Sequence, residues 1–169
     1  MKKIVLMSDS HYVYEAMDLI HHAFPEADYH IHCGDVLLPP ALTEGWDCVM
    51  GNCDFPDYPM ARSYEIEGHR ILVRHGHDIF YGPADTGALA GYARVRGYDV
   101  VMFGHSHMYC DTVVKGVRLL NPGSVSFNKD FTEPSFMIVT IDGQKIHAER
   151  MVYPDFLMKA GQGSKKDID

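Results

Sequence analysis

Five short strand-like runs in this chain each stop at a cluster carrying aspartate, asparagine or histidine, and that repeated ending restricts the fold more than any other feature. Lys3-Ile4-Val5-Leu6-Met7-Ser8 stops at Asp9-Ser10-His11, and Asp28-Tyr29-His30-Ile31-His32-Cys33 stops at Gly34-Asp35. Trp46-Asp47-Cys48-Val49-Met50 precedes Gly51-Asn52-Cys53-Asp54, and Arg70-Ile71-Leu72-Val73-Arg74 precedes His75-Gly76-His77. The fifth, Asp99-Val100-Val101-Met102-Phe103, runs into Gly104-His105-Ser106-His107. Short apolar, β-branched runs bounded by turn residues read as buried strands. Their C-terminal ends are where open α/β sheets carry their chemistry.

Helical periodicity fills the gaps. Val13, Ala16, Met17, Ile20 and Phe24 recur at helical spacing until Pro25 stops them, and residues 85–96 read as a helix ended by Gly97, weakened by Gly87 and Gly91. Later the pattern changes to hairpins: 63–67 with 70–74 around Gly68-His69, 111–115 with 117–120 around Gly116, and 135–141 with 145–151 around Asp142-Gly143. Asn121-Pro122-Gly123-Ser124 reads as a loop. Strands alternating with helices first, and hairpins afterwards, predict an α/β chain of two packed sheets with helices outside. With 169 residues it suits one domain, expected over residues 1–155, with a loose polar tail over 156–169.

Charge and cysteine usage narrow the function classes. The formal net charge of −8 argues against a broad basic surface for nucleic acid, so a phosphate-bearing substrate would need local positive charge from bound metal. The four cysteines, Cys33, Cys48, Cys53 and Cys110, form no Cys-x-x-Cys pair, and the N-terminus lacks the features of a signal peptide. They read as reduced thiols of a cytoplasmic protein. No apolar run reaches the ~20 residues of a membrane span.

Taken together, Asp9, His11, Asp35, Asn52, His75, His105 and His107 offer seven nitrogen or oxygen donors from five strand ends. One ion does not need so many, whereas two adjacent ions sharing a carboxylate do. These residues resemble the calcineurin-like metallophosphoesterase superfamily, whose ordered motifs are Asp-x-His, Gly-Asp, Gly-Asn-x-Asp or Glu, a His before a Gly-His step, and Gly-His-x-His. All five stand here in order between Asp9 and His107, and the resemblance extends over about residues 3–150. The short length, Gly-Asn-Cys-Asp and Asn-Pro-Gly-Ser also look like its small prokaryotic phosphodiesterase branch, to which the retromer subunit of eukaryotic vesicle sorting is related.

The resemblance implies a four-layer αββα sandwich of two mixed β-sheets flanked by helices. It implies one divalent ion on Asp9, His11 and His107, a second on Asn52, His75 and His105, and Asp35 bridging them. Manganese is the favoured metal, with zinc, iron and nickel suited by ligand type. Two divalent cations against two carboxylates and a bridging hydroxide leave about one positive charge, which matches a phosphodiester anion. The implied reaction is diester hydrolysis by that hydroxide. Phosphomonoesterase members commonly carry His after the motif Asn; here Cys53 stands there, a weaker and differently tuned acid.

Beyond the metal ligands, His77, Asp54 and Cys53 are the catalytic candidates, and Asn52, His77, Asn121 and Ser124 the substrate-binding ones. His77 either meets the substrate phosphate or only braces its loop, and Asp54 orients Asn52 or a nearby His. His32 reads as a support for Asp35 or as a core residue, His21 and His22 as helix surface, and Tyr58, Phe80 and Tyr81 as a substrate lip or as packing. The leading function is a metal-dependent phosphodiesterase acting on a small diester. The alternatives are a retromer-subunit-like binding scaffold, a phosphomonoesterase, a nuclease or a metallo-β-lactamase-type hydrolase, the last lacking its Asp-His continuation after His107. No membrane partner is expected, nucleic acid is disfavoured, and a homo-oligomer stays open.

Overall fold

A computed structural model describes residues 1–55, 57–81 and 84–166, with side chains through 161. The first sheet contains β1 (Lys2–Met7), β2 (Tyr29–His32), β3 (Asp47–Cys48), β9 (Ser135–Asp142) and β10 (Lys145–Val152), in the order β10-β9-β1-β2-β3. The second contains β4 (Ala61–Ile66), β5 (His69–Arg74), β6 (Val100–Met102), β7 (Tyr109–Val114) and β8 (Val117–Pro122), in the order β4-β5-β6-β8-β7. Three α-helices complete the described chain: α1 (Glu15–Ala23), α2 (Thr86–Val95) and α3 (Tyr153–Lys166). Both sheets are mixed. β1, β2 and β3 run parallel, as do β5, β6 and β8, while β4, β7, β9 and β10 pair antiparallel.

Burial on both faces explains the continuous apolar runs. Ile4 and Leu6 point into the core between the sheets with Ile71, Val73, Val100, Met102 and Val139. Val5 and Met7 point the other way, against Met17 and Ile20 of α1 and Phe136. On the far side, Leu72, Val101 and Phe103 cover Leu89, Ala90 and Ala93 of α2. The period of two along each strand thus serves two cores at once. The result is the expected four-layer αββα sandwich.

Three local expectations change. Asn121 and Pro122 belong to β8 rather than to a loop, and the run at 46–50 yields only the two-residue β3. The stretch expected as a loose tail from residue 156 is helical through Lys166, and the expected boundary falls inside α3. Pro154 is tolerated in a first helical turn, and Tyr153 and Phe156 pack onto the outer core. Phe156 meets Phe136 at 5.4 Å between ring centroids, a contact invisible in local composition.

Parallel strands aim their C-terminal ends the same way, so the loops after β1, β2 and β3 meet those after β5 and β6 along one edge of the sandwich. The meeting is close: a Cβ on Gly104 would lie 2.0 Å from Ser8 Oγ and 2.7 Å from Asp9 Oδ2. Replacing Gly104 by Ala should therefore break the bond from Ser8 Oγ to Asp9 and cost about 1–3 kcal/mol. Urea unfolding of G104A beside the parent chain measures it, and an unchanged midpoint would contradict the packing described.

Candidate metal centre

The backbone at this edge is strained where the functional side chains sit. Among the described residues, nine other than glycine have positive φ, and five of them are Asp9 (51°), His11 (43°), Asp35 (58°), His105 (66°) and His107 (53°). Such conformations cost of order 1 kcal/mol or more each and persist only when the surroundings enforce them. Asp54 does much of the enforcing. Its Oδ2 accepts from the N–H groups of Asp35 and Gly51, and its Oδ1 from Val36 and Leu37, all at 2.8 Å. Asp54 thus holds main chain rather than the Asn52 or histidine side chains expected, and its occupied carboxylate leaves no free group for catalysis. Gly51 is required beside it, because a Cβ there would meet Asp35 Oδ1 at 2.1 Å.

The seven expected donors gather into two groups. In the first, donor atoms of Asp9, His11, Asp35 and His107 all lie within 4.8 Å of one another. His107 Nδ1–H donates to the Phe127 carbonyl at 3.1 Å, so its Nε2 lone pair points inward, 3.1 Å from His11 Nε2 and 3.1 Å from Asp9 Oδ1. Asp9 Oδ1 is buried and accepts no hydrogen bond from the described residues. In the second group, His75 Nδ1–H donates to the Cys33 carbonyl at 2.7 Å, turning Nε2 toward Asn52 Oδ1 at 3.1 Å and Asp35 Oδ2 at 3.4 Å. Asn52 Oδ1 also lies 3.0 Å from His105 Nδ1. Asp35 Oδ2 stands between the groups, 3.7 Å from His11 Nε2, while its Oδ1 accepts from the Cys53 N–H at 2.9 Å.

Lone pairs turned on lone pairs repel unless a proton or a cation lies between them. The protein accordingly stabilises positive charge here. Burial alone would discharge His75, yet the bond to Asp35 and the charges of Asp9 and Asp35 raise its pKa to about 9. Burial likewise opposes ionisation of Asp35, but His75 and the Cys53 N–H hold its carboxyl well below the usual range. Neutral imidazoles, carboxylates and a carboxamide oxygen with an unmatched buried carboxylate oxygen fit borderline divalent cations.

A cleft of about 230 Å³ opens onto the centre, lined by His11, Asp35, Asn52, Cys53, His105 and His107, with Phe127 and Lys129 on its wall. Cys53 is solvent-exposed at its edge; burial of the sulfur and the Asp35 charge push its thiol up to about 11, so it stays neutral. His77 stands behind, its ring 5.5 Å from that of His75 and 6.2 Å from that of His105, with a buried Nδ1 that has no hydrogen-bond partner among the described residues. Burial and the His75 charge lower its pKa.

Several expected contacts turn out to be supports. Asn121 and Ser124 are completely buried. Asn121 Nδ2 donates to the Gly104 carbonyl and Ser106 Oγ, and Ser124 Oγ donates to the Asp9 carbonyl, so they shape the loops without reaching substrate. His32 is a core residue: the Gly34 N–H donates to its Nδ1, leaving Nε2–H for Ser10 Oγ, and burial drives its pKa down to about 3. Tyr58 and Phe80 are buried, and Tyr81 is exposed. His22 is on the surface as expected, but His21 is half-buried with its ring 4.4 Å from that of His30. Phe127 and Lys129 escaped the sequence reading. They follow Asn-Pro-Gly-Ser with no periodic pattern, and only the fold folds that loop back over His107.

With the geometry in hand, the chain belongs to the calcineurin-like phosphoesterase superfamily, whose domain model matches residues 1–144. It is 37% identical over 148 residues to the probable metallophosphoesterase YsnB of Bacillus subtilis, covering 82% of this chain and 84% of that protein. It is 26% identical to the phosphodiesterase YfcE of Escherichia coli K12, over 91% of this chain and all of the other. A Streptococcus pneumoniae crystal structure described as a predicted phosphoesterase superposes with a TM-score of 0.80 at 26% identity, over 90% of each chain. Vps29 of Chaetomium thermophilum shares the fold, with a TM-score of 0.71 at 17% identity, over 89% of this chain and 97% of that one.

Two measurements test the site. D54A leaves four N–H groups without their acceptor and should lose at least about 2 kcal/mol in urea unfolding, with D54N intermediate because it keeps one oxygen. In chelator-treated protein, the stability contributed by the His75 proton is complete below pH 6.5 and is lost as pH rises through about 9. The H75Q variant should lack that decline; matching pH profiles would remove His75 as its source.

Proposed function

We propose that this chain is a metal-dependent phosphodiesterase with a dinuclear centre on the seven donors, Asp9, His11 and His107 serving one ion, Asn52, His75 and His105 the other, and Asp35 both. The observation that carries the reading is the pair of inward-facing donor groups sharing the Asp35 carboxylate. Divalent cations, manganese first and zinc, iron or nickel by ligand type, would supply Lewis acidity toward the phosphoryl group and a water acidic enough to attack near neutral pH.

The chain's own residues do the rest. Only two carboxylates enter the donor set, and the carboxamide of Asn52 adds oxygen without charge, so the loaded site attracts an anion. Asn52 and His105 face the cleft, where they orient the phosphate. Cys53, neutral at the edge, is a poor proton donor for an alkoxide, which favours diesters with stable leaving groups over monoesters. The relationship to a protein named phosphodiesterase supports the same choice. His77 lies outside the cleft lining, behind His75 and His105. The net charge of −8 weighs against nucleic acid. Four free cysteines fit a cytoplasmic setting.

A second reading, the binding scaffold, has one observation in its favour. Among the described residues, the exposed aromatic side chains Tyr12, Tyr14, Phe55, Tyr81, Phe127 and Phe131 all lie on loops at the strand ends that carry the site or on the β8–β9 loop beside it. The two readings separate by assay. Manganese-loaded protein should hydrolyse an activated diester, chelation should abolish this, and D9A or H107A should lose more than the roughly 10- to 100-fold typical of residues that merely orient ligands. Turnover that survives chelation would sink the catalytic account. H77A should slow a poor-leaving-group diester more than a p-nitrophenyl one; equal effects would leave His77 as a brace.

A further inference from the structure

The β8–β9 loop, residues 123–134, presents two side chains to the cleft that no role in metal binding explains. Phe127 is 53% exposed, and its ring lies 4.8 Å from that of His107. Lys129 lines the same wall, is exposed, and its ammonium makes no ion pair among the described residues. An exposed aromatic ring on a mobile loop would mean little, but this loop is fixed on both sides of Phe127. Ser124 Oγ and Ser126 Oγ each donate to the Asp9 carbonyl, at 2.8 and 3.2 Å. His107 Nδ1–H donates to the carbonyl of Phe127 itself, and the Lys129 N–H donates to the His107 carbonyl at 2.9 Å. Asn128 closes the turn, accepting from the Ser124 N–H at 2.7 Å and donating to the Glu133 carbonyl at 2.7 Å. The main chain that presents Phe127 and Lys129 is therefore tied to Asp9 and His107, and their placement relative to the centre is preorganised.

We propose that this wall is a substituent subsite, with Phe127 stacking on a flat unsaturated group of the substrate and Lys129 drawing its negative charge into the cleft. The substrate class is an anionic phosphodiester bearing a nucleobase or an aryl ring on the ester arm that stays with phosphorus when the other leaves. This rests on the diesterase reading and deepens it. An aromatic face selects flatness and a π-surface without reading hydrogen-bond patterns, so nucleoside and aryl arms share the chemistry and the assay separates them. In a chain of net charge −8, an unpaired cation at the cleft wall offsets the repulsion an anion meets on approach.

Three diesters sharing a p-nitrophenolate leaving group test the proposal: thymidine 5′-p-nitrophenyl phosphate, phenyl p-nitrophenyl phosphate and methyl p-nitrophenyl phosphate. The parent enzyme should show lower KM for the two flat substrates than for the methyl one, and the better of the two identifies the natural arm. F127A keeps the carbonyl that holds His107, and should raise KM for the flat diesters roughly 5- to 100-fold more than for the methyl diester, with F127W restoring the preference. K129A should raise KM for all three by a factor that shrinks as salt is added, and K129R should recover it. Calorimetric titration reads the subsite without turnover: the parent protein should bind AMP more tightly than ribose 5-phosphate, and F127A should not. If F127A impairs all three diesters equally and AMP gains nothing from its base, Phe127 only braces His107 and the subsite is overturned. If no diester is hydrolysed, the diesterase reading fails, while the AMP comparison still decides the subsite.

Discussion

The Asp35 carboxylate is the contact on which the architecture of this edge depends. One oxygen takes the Cys53 N–H from the loop after β3, and the other lies between His11, from the loop after β1, and His75, from the loop after β5 in the other sheet. A single buried anion thus joins the working ends of both sheets. Its own backbone is left-handed and is pinned through its N–H by Asp54. Strain at Asp35 and its neighbours is balanced by hydrogen bonding a few residues away, as expected where side-chain geometry matters more than local comfort.

The same contact explains why an acidic chain can serve an anionic substrate. Negative charge is spread over the surface, whereas at the centre two carboxylates face four imidazoles and a carboxamide, and the geometry favours whatever positive charge enters. Protons fill that role when they can, which is why His75 holds its proton up to about pH 9. Close packing is the other requirement. Gly51 and Gly104 stand where any side chain would collide with Asp35 or with Ser8 and Asp9, so these glycines belong to the site as much as its ligands do.

Much of this was legible along the chain. The two-sided apolar runs and three hairpins gave their elements within a few residues, because burial on both faces of a strand leaves a continuous pattern. The donors were legible because each sits immediately after a strand, where sequence adjacency and spatial position coincide. Legibility ended where function was carried by contacts remote in sequence. Asp54 looked like a partner for Asn52 or a histidine and instead holds the 35–37 main chain. Asn121 and Ser124 looked like substrate contacts and are buried braces. The helix after Tyr153 looked like a tail because its anchoring partners, Phe24 and Phe136, lie far back in the sequence.

By itself, then, the sequence determined the class of fold and which polar residues stand at the strand ends. Both follow from local rules: alternation of burial along a strand, and the placement of polar residues at its end. The tertiary structure alone decided how those residues are grouped, with Asp35 between two clusters, and which side chains form the cleft wall. That choice depends on the packing of one sheet against the other and on a loop folding back onto His107. Phe127 and Lys129 become neighbours of the site through hydrogen bonds to residues some 20 to 120 positions away, a distance no periodic pattern encodes.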